Sequence, residues 1–578
     1  MKNTKLKKPF VLVLAVLMAL SATACTGKPA TSSSSSLSSS ESVSSEIASS
    51  SEEENLYYNK TGFPICDEPI TVTVAGMHSM QVAGNWPDKY IVKAIEEKMG
   101  IKLECTDYMG DAWQSQLTLM LASDTLPDLL LSAGVSRSDA NVWGSQGYFA
   151  DILQYADLMP NFTDMLAKKP RVAAYETAED GAIYGLTRFK DSDLACVNDQ
   201  CWINTRWLEN VGKSMPQTMD ELYDVLKAFK EQDANGNGDP SDEIPLSYNT
   251  NCGQRMLWVL RAGFGIYSSA TDYLLQADEQ GNVYLAESTE AYKDYLKFLH
   301  KLYQEQLLDN TCFIQTDEEY NQKLATDKVG LFAHWSDSLS APLKSTDPAD
   351  LKDWEFFVGT TSQYTDEIIF PLYTTVVSGA HTLINAKTKY AEAICRMLDY
   401  QYCDEGALFY KYGEEGKTFQ FVEDEFGNKI ASLKGFYDEN AMNETAYLYS
   451  IQIPNGFADY QLNFAKQIIS RASDSQLEDI INNGQDGSYI TNAKVQQSLN
   501  RIKSQEVFPL LVQTKEEMEA MSTRQSDITT FISTWRSNFV TGVTDIDAGW
   551  DEFISTMDRM GLKDLLTYAQ AAYTRMYG

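Results

Sequence analysis

One short stretch concentrates oxygen-bearing side chains: Asp233, Asn235, Asn237, Asp239, Asp242 and Glu243, alternating with Ala234, Gly236 and Gly238. Calcium takes about six to eight oxygen ligands in a flexible shell, so carboxylates and amides at every second position, with glycine allowing a tight turn, suit its chemistry. The spacing misses the EF-hand pattern by one, because four residues rather than five separate Gly238 from Glu243. Magnesium keeps several of its waters and has less use for so many protein oxygens. The same residue types also favour turns without any metal, and a bare surface turn is the alternative reading.

Catalytic signatures are missing elsewhere. The chain has four histidines, His78, His300, His334 and His381, with no ligand spacing among them, and no HExxH, G-x-S-x-G or Walker loop. A glycosidase needs two carboxylates flanking a bond, and 81 acidic residues always supply a pair, so that count decides nothing. A secreted polysaccharide hydrolase or lyase stays as one alternative to a binding protein, and a surface adhesin or peptide-binding lipoprotein as another. Recognition chemistry is plentiful: ten tryptophans and 32 tyrosines offer flat apolar faces of the kind that stack on the C–H faces of sugar rings. Most of them must serve the core.

The elements that position these residues are legible. Thr218 lies three residues before Glu221, the spacing of a capping box, with Pro216 upstream. Met219, Leu222, Val225, Leu226 and Phe229 then form an apolar stripe, with Lys227 and Lys230 toward water, so a packed helix delivers the chain into the oxygen-rich loop. Upstream, Ile70–Ala75 reads as a strand, Tyr90–Met99 as a helix ended by Gly100, Ile101–Cys105 as a strand, Ala112–Ala122 as a helix and Asp128–Ser132 as a buried strand. Such alternation implies an α/β lobe with a largely parallel sheet, in which ligands bind beyond the carboxyl ends of the strands. The loops beginning at Gly76, Ser132 and Phe332 are therefore the ones to inspect. Ala291–Tyr303 reads as an amphipathic helix with His300 on its surface, and the last hundred residues read as mainly helical, ending in Gly561–Met576.

Several stretches follow one another in a recognisable order: LPDLLLSAG at Leu126–Gly134, DGAIYGL at Asp180–Leu186, INTRWLENVGKSMPQTMDELYDVLKAF followed by DANGNGDPSDEIP, DKVGLFAHW at Asp327–Trp335, YGEEGKTFQF at Tyr412–Phe421, and NFVTGVTDID near the end. With them the chain after Ile70 resembles the extracellular solute-binding protein family 1, the carbohydrate-binding lipoproteins of ABC importers, in particular the large alginate-oligosaccharide-binding type. The resemblance implies a two-lobed periplasmic-binding-protein-like α/β fold with a hinged inter-lobe cleft and a helical C-terminal region. Residues 69–190 would form the first lobe, completed by about 375–430. Residues 191–372 would form the second, with the calcium-like loop 233–243, and 431–578 a mainly helical part packing on both. Crossings are expected near Arg188–Trp202 and Tyr373–Ile384. The implied activity is capture of an oligosaccharide by hinge closure and delivery to an ABC importer's permease, by a monomer, without catalysis. Implied ligand contacts are Trp335 as a stacking tryptophan with His334 beside it, Ser132, Arg137 and Trp143 from the first lobe, Asn251 and Arg255 from the second, Trp86 after the first strand and Tyr373 at the hinge. Calcium at 233–243 would be structural and remote from the sugar.

The N-terminus carries an address. Lys2, Lys5, Lys7 and Lys8 precede an apolar run from Pro9 to Leu20, closed by Ala22-Thr23-Ala24-Cys25. This is a secretory signal over residues 1–24, and its run is too short to span a membrane permanently. The small-small-Cys ending resembles a lipobox, which would make Cys25 a lipidated residue at the extracellular face of the bacterial cell membrane; a plain signal peptide is the alternative. Residues 25–68, serine-rich with scattered glutamates, are expected to be a flexible tether. The formal charge of −34 makes nucleic acid and anionic membrane surfaces poor partners, leaving the anchor as the membrane contact. Of nine cysteines only Cys196 and Cys201 are near neighbours, and Cys105 and Cys395 sit in apolar segments, so mostly free thiols are expected.

Overall fold

The computed structural model describes residues 57–78, 84–190, 192–197, 200–251, 255–268, 273–335, 338–374, 376–440, 442–454, 457 and 464–578. The signal, Cys25 and the tether up to residue 56 lie outside the described residues.

The first sheet has the strand order Ile101–Met109, Ile70–His78, Leu129–Leu131, Val376–Ile384, Leu186–Phe189. The first three run parallel, and Val376–Ile384 lies antiparallel to both its neighbours. Both faces are covered, as parallel sheets require. Ile91, Ile95 and Met99 join Val72, Val74, Leu129 and Ile394 on one side, and Trp113, Leu117, Leu130 and Leu383 meet on the other. The expected helix Tyr90–Met99 ends at Gly100 with φ 69°, where a Cβ would lie 2.0 Å from the Cys66 carbonyl oxygen, so only glycine fits. That contact corrects the expected tether. Ile65 and Cys66 donate their N–H groups to Met99 O and are 0% and 1% exposed, so ordered structure starts before residue 69.

The second sheet is mixed, with the order Trp354–Phe356, Gln200–Asn204, Val329–His334, Ile244–Ser247. The helix Met219–Glu231 starts with both bonds of the Thr218–Glu221 capping box. Its stripe packs on the central strand so closely that a Cβ on Gly330 would meet the Phe229 ring at 2.5 Å and Trp207 at 2.7 Å. The helix Glu290–Gln304 buries Tyr292, Tyr295, Leu299 and Leu302. His300 is not simply surface: its Nδ1 lies 3.0 Å from Val540 O, because the helix Lys515–Thr541 packs alongside.

The chain passes from the first sheet to the second between Phe189 and Gln200, and returns ahead of Val376–Ile384, which is already a first-sheet strand. Beside the return, Ile369–Leu372 pairs in parallel with Lys503–Glu506. This late strand has no apolar alternation, so periodicity did not reveal it. The remaining C-terminal segments are helical, including Gly487–Leu499, Ile546–Arg559 and Leu562–Tyr577, and their Met521, Ile528, Phe553 and Leu565 extend the second-lobe core. Seven cysteines, Cys66, Cys105, Cys196, Cys201, Cys312, Cys395 and Cys403, are free thiols.

Candidate binding cleft

At the carboxyl end of the first sheet, His78 Nδ1 lies 2.6 Å from Asp107 Oδ2, while Asp107 Oδ1 accepts the Trp86 N–H at 3.3 Å. Trp86 is 1% exposed and fits under this edge because Gly76 has no Cβ; one there would come within 2.5 Å of the ring. Ser132 follows Leu129–Leu131 in the left-handed region, φ 48°, an uncommon conformation for a residue with a side chain, and is buried. Arg137 is an internal strut. One of its guanidinium nitrogens donates to Gly185 O at 2.8 Å, another pairs with buried Glu176, and the group lies over Tyr175. Burial pushes the Glu176 carboxyl up, and Arg137 pulls it the other way. Trp143 is half-buried against Phe149, with ring centres 6.4 Å apart.

The second lobe presents a different surface. Strand Val329–His334 ends in a stack: Tyr320 and His334 at 6.4 Å and 12°, then His334 and Trp335 at 5.8 Å and 17°. Burial pushes the His334 imidazole down to about 4, with Asp317 pulling upward, so the ring is neutral near pH 7; its Nε2 lies 3.2 Å from Asn321 Oδ1. Of the ten tryptophans Trp335 alone is exposed, at 61%. A large aromatic face held on a rigid neutral stack at a strand's carboxyl end is a platform for an apolar ring face. Asn251 is exposed nearby in the same network, donating to Asp317 Oδ2 at 2.6 Å.

The hinge is cationic and aromatic. Tyr373 packs on Trp258 at 4.6 Å, with Lys190 Nζ and the Arg255 guanidinium each 4.6 Å from its ring centre. Arg255 is fully buried and donates to Pro371 O and Cys196 O, and Cys196 O also accepts the Tyr373 N–H. Arg255 thereby ties two crossing segments together. Burial lowers the Lys190 ammonium to about 8. The structure thus brings Trp335, His334 and Asn251 to one edge and Arg255 and Tyr373 to the hinge, while Trp86, Ser132 and Arg137 lie inside the first lobe. Sequence reasoning missed the His78–Asp107 pair and Lys190. Each stands at the end of a strand, the only signal that could have found them.

In the oxygen-rich loop, Asn235 Oδ1 accepts Asn237 N–H, Asp233 Oδ2 accepts Gly238 N–H, and Asn237 Oδ1 accepts Asp239 N–H. Asp239 turns its carboxylate to Ser241, so its side chain is engaged within the turn. Asp242 receives Asn235 and Asn237 amides and lies 3.2 Å from Lys328 Nζ. Glu243 is 2% exposed, and neither of its oxygens has a hydrogen-bond partner, nor does the buried Asp233 Oδ1. Burial pushes the Glu243 carboxyl up, nearby amides of Glu243 and Asn235 countering it in part. A buried carboxylate without a donor is costly, and a cation removes the cost, so the residues present fit calcium. No three acidic, histidine or cysteine groups stand at coordinating spacing among the described residues. Lys328 and Trp335 flank the strand Val329–His334 at opposite ends, which separates loop and platform by about 20 Å at 3.3 Å per residue.

The family model for bacterial extracellular solute-binding proteins matches residues 90–394. The chain belongs to that family. It is a binding protein rather than an enzyme. The fructooligosaccharide ABC transporter substrate-binding protein FusA of Streptococcus pneumoniae serotype 4 is 25% identical over 500 residues, 84% of this chain and 87% of the relative. Lipoprotein LipO of Bacillus subtilis is 25% identical over 374 residues, 63% of this chain and 70% of the relative. Among solved structures, a FusA EF-hand mutant in complex with fructo-nystose superposes with TM-score 0.63 at 22% identity, covering 88% of this chain and 99% of the other. The alginate-binding protein AlgQ2 without calcium ion superposes with TM-score 0.62 at 21% identity, covering 89% and 100%. These structures share the two-lobed α/β fold.

Proposed function

We propose that this chain captures an oligosaccharide between its lobes and hands it to the membrane subunits of an ABC importer. The observation that carries the reading is Trp335, exposed on the neutral His334 stack at the carboxyl edge of the second sheet. Its flat face suits a pyranose or furanose ring, and the polar groups around it, Asn251, Asn321 and Asp317, suit hydroxyls. A sugar touching both lobes favours the closed arrangement by the contacts it makes only there, so binding and closure are one equilibrium. The names of FusA and AlgQ2 support an oligosaccharide as the cargo class. Ser132, Arg137 and Trp143 shape the first-lobe side, with Trp86 beneath it, and Tyr373 and Arg255 serve the hinge.

Calcium belongs to the same reading. Asp233, Asn235, Asn237, Asp242 and Glu243 would hold it, and it supplies the positive charge that Glu243 lacks. The likeness to a FusA EF-hand mutant and to AlgQ2 described without calcium supports this. LipO, a lipoprotein, supports anchoring through Cys25, which keeps a monomeric receptor beside its permease at the outer face of the membrane.

Thermal unfolding of the body from Glu54 onward, with fructan, alginate and galacturonan oligosaccharides, tests the proposal. A sugar at a hundredfold excess over its dissociation constant adds about 2.7 kcal/mol of stability. A raised midpoint with the sugar chemically unchanged is the expected result. Cleavage of the sugar, or no shift across the panel, overturns it.

A further inference from the structure

Besides the crossing segments, a second structure joins the lobes, docked on helices Phe464–Arg471 and Gly487–Leu499 that themselves contact Leu194–Cys196. The antiparallel hairpin of Gln420–Glu423 and Lys429–Ser432 is rooted in the first lobe, where Phe419, Leu433, Tyr447 and Ile451 form a small core against Tyr90 of the helix Tyr90–Met99. Its tip reaches the other lobe. Asp424 Oδ2 accepts the Tyr489 hydroxyl at 2.9 Å, Glu425 accepts the Gln485 N–H at 3.0 Å, and the Phe426 ring lies 5.9 Å from Tyr489 and packs with the second-lobe core. Tyr489 sits on the helix Gly487–Leu499, itself fastened to the second sheet by Lys494 Nζ donating to Trp354 O and by Leu339 N–H donating to Thr491 Oγ1. Leu339 is four residues beyond Trp335, so the hairpin docks beside the loop that carries the aromatic platform.

Under the docked tip lies a cavity of about 630 Å3. Asn428 and Lys429 come from the hairpin, Gln467, Arg471 and Asp479 from the helices Phe464–Arg471 and Asp474–Asn483, and Ile468 and Ile480 give it an apolar floor. Its volume falls in the range of about 300–1,000 Å3 typical of small-molecule sites. Amides with balanced positive and negative groups over an apolar floor match a neutral, polyhydroxylated ring; the balance gives no preference to an anionic one.

We propose that this cavity is a subsite for further units of a longer saccharide, completed only when the first-lobe hairpin docks on the second lobe. It rests on the oligosaccharide reading above and adds to it how chain length is read. Neither lobe alone builds the site, so a longer sugar gains contacts only in the clasped state, which couples its length to closure.

The test is a titration calorimetry series on the full mature chain with fructan oligosaccharides of two to six units and the alginate series in parallel. Wild type is compared with an Arg471→Ala, Asp479→Ala double variant, whose side chains are exposed and whose removal leaves the fold intact, and with Glu425→Ala, which weakens docking. Expected is a loss of about tenfold for the longest bound sugars in both variants, with the shortest unaffected. An equal loss at all lengths, or none, overturns the subsite while leaving the oligosaccharide reading standing. If wild type binds no member of either series, the oligosaccharide reading falls first and the subsite with it. Small-angle scattering without sugar gives an independent check: Glu425→Ala should have a larger radius of gyration than wild type, and an unchanged radius overturns the clasp.

Discussion

Replacing Glu243 by Gln separates the charge at the oxygen-rich loop from its shape. In wild type with a chelator, Glu243 is a carboxylate shielded from solvent with no well-formed hydrogen bond on either oxygen and only the nearby Glu243 and Asn235 amides to offset its burial. Leaving such a group unpaired costs about 1–3 kcal/mol, and the low end applies because the loop is near the surface. Glutamine fills the same volume without the charge, so the chelated variant should be more stable than chelated wild type by about 1 kcal/mol. With calcium the order reverses. Wild type at a hundredfold excess over its dissociation constant gains about 2.7 kcal/mol, and the variant, short of a ligand, gains little. If the second lobe melts as a unit, about 2–4 °C per kcal/mol puts the wild-type shift at about 5–10 °C. The sign with pH follows from the raised folded carboxyl. In chelated wild type its contribution is fully present below the unfolded pKa and is lost as pH rises through the folded one, a slope the variant lacks. Differential scanning calorimetry with chelator or calcium reads all of these. A variant that keeps the full calcium shift, or a wild type with no shift at all, would refute the reasoning.

Trp335→Ala removes the exposed platform. It should leave stability within about 0.5 kcal/mol of wild type, because a 61% exposed ring contributes little to folding, yet weaken sugar binding at least about tenfold by calorimetry; unchanged affinity would remove Trp335 from the site. His334, held down to about 4 by burial, contributes stability that is present above its unfolded value of about 6.5 and is lost as pH falls toward 4, about 3 kcal/mol at most. His334→Phe should flatten that part of the stability profile measured by urea unfolding between pH 7 and 4, and an identical profile would count against it. Arg255→Met takes the donor from the carbonyls of Pro371 and Cys196 and should cost about 3 kcal/mol in the same assay; a loss below about 1 kcal/mol would mean that Arg255 does not hold the hinge.

Where an element is built by neighbours in sequence, the sequence alone determined it. The helix after Thr218 has its capping bonds, its apolar face and the loop it leads into all within reach of one another along the chain, and Gly100 ends its helix with the left-handed backbone, φ 69°, that a helix C-cap takes. The alternation of strand and helix up to Leu131 likewise announced a parallel sheet, and VGLFAHW announced a strand with an aromatic at its end. Periodicity, capping and turn chemistry act over a few residues, and that is why they can be read without coordinates.

What only the tertiary structure decided depends on residues far apart in the chain. Arg137 looked like a cleft residue until Glu176 and Gly185 came beside it, and Arg255 until Pro371 and Cys196 did. Ile65 and Cys66 looked like tether because their partner is Met99, and Lys503–Glu506 is a strand only because Ile369–Leu372 lies next to it. Ten tryptophans are equivalent as letters, and burial of seven and half-burial of Trp143 and Trp535 left Trp335 as the one fully exposed platform. Whether an aromatic or a charge is a support or a contact is set by which distant side chains take its surface, and that information appears only once the chain has folded.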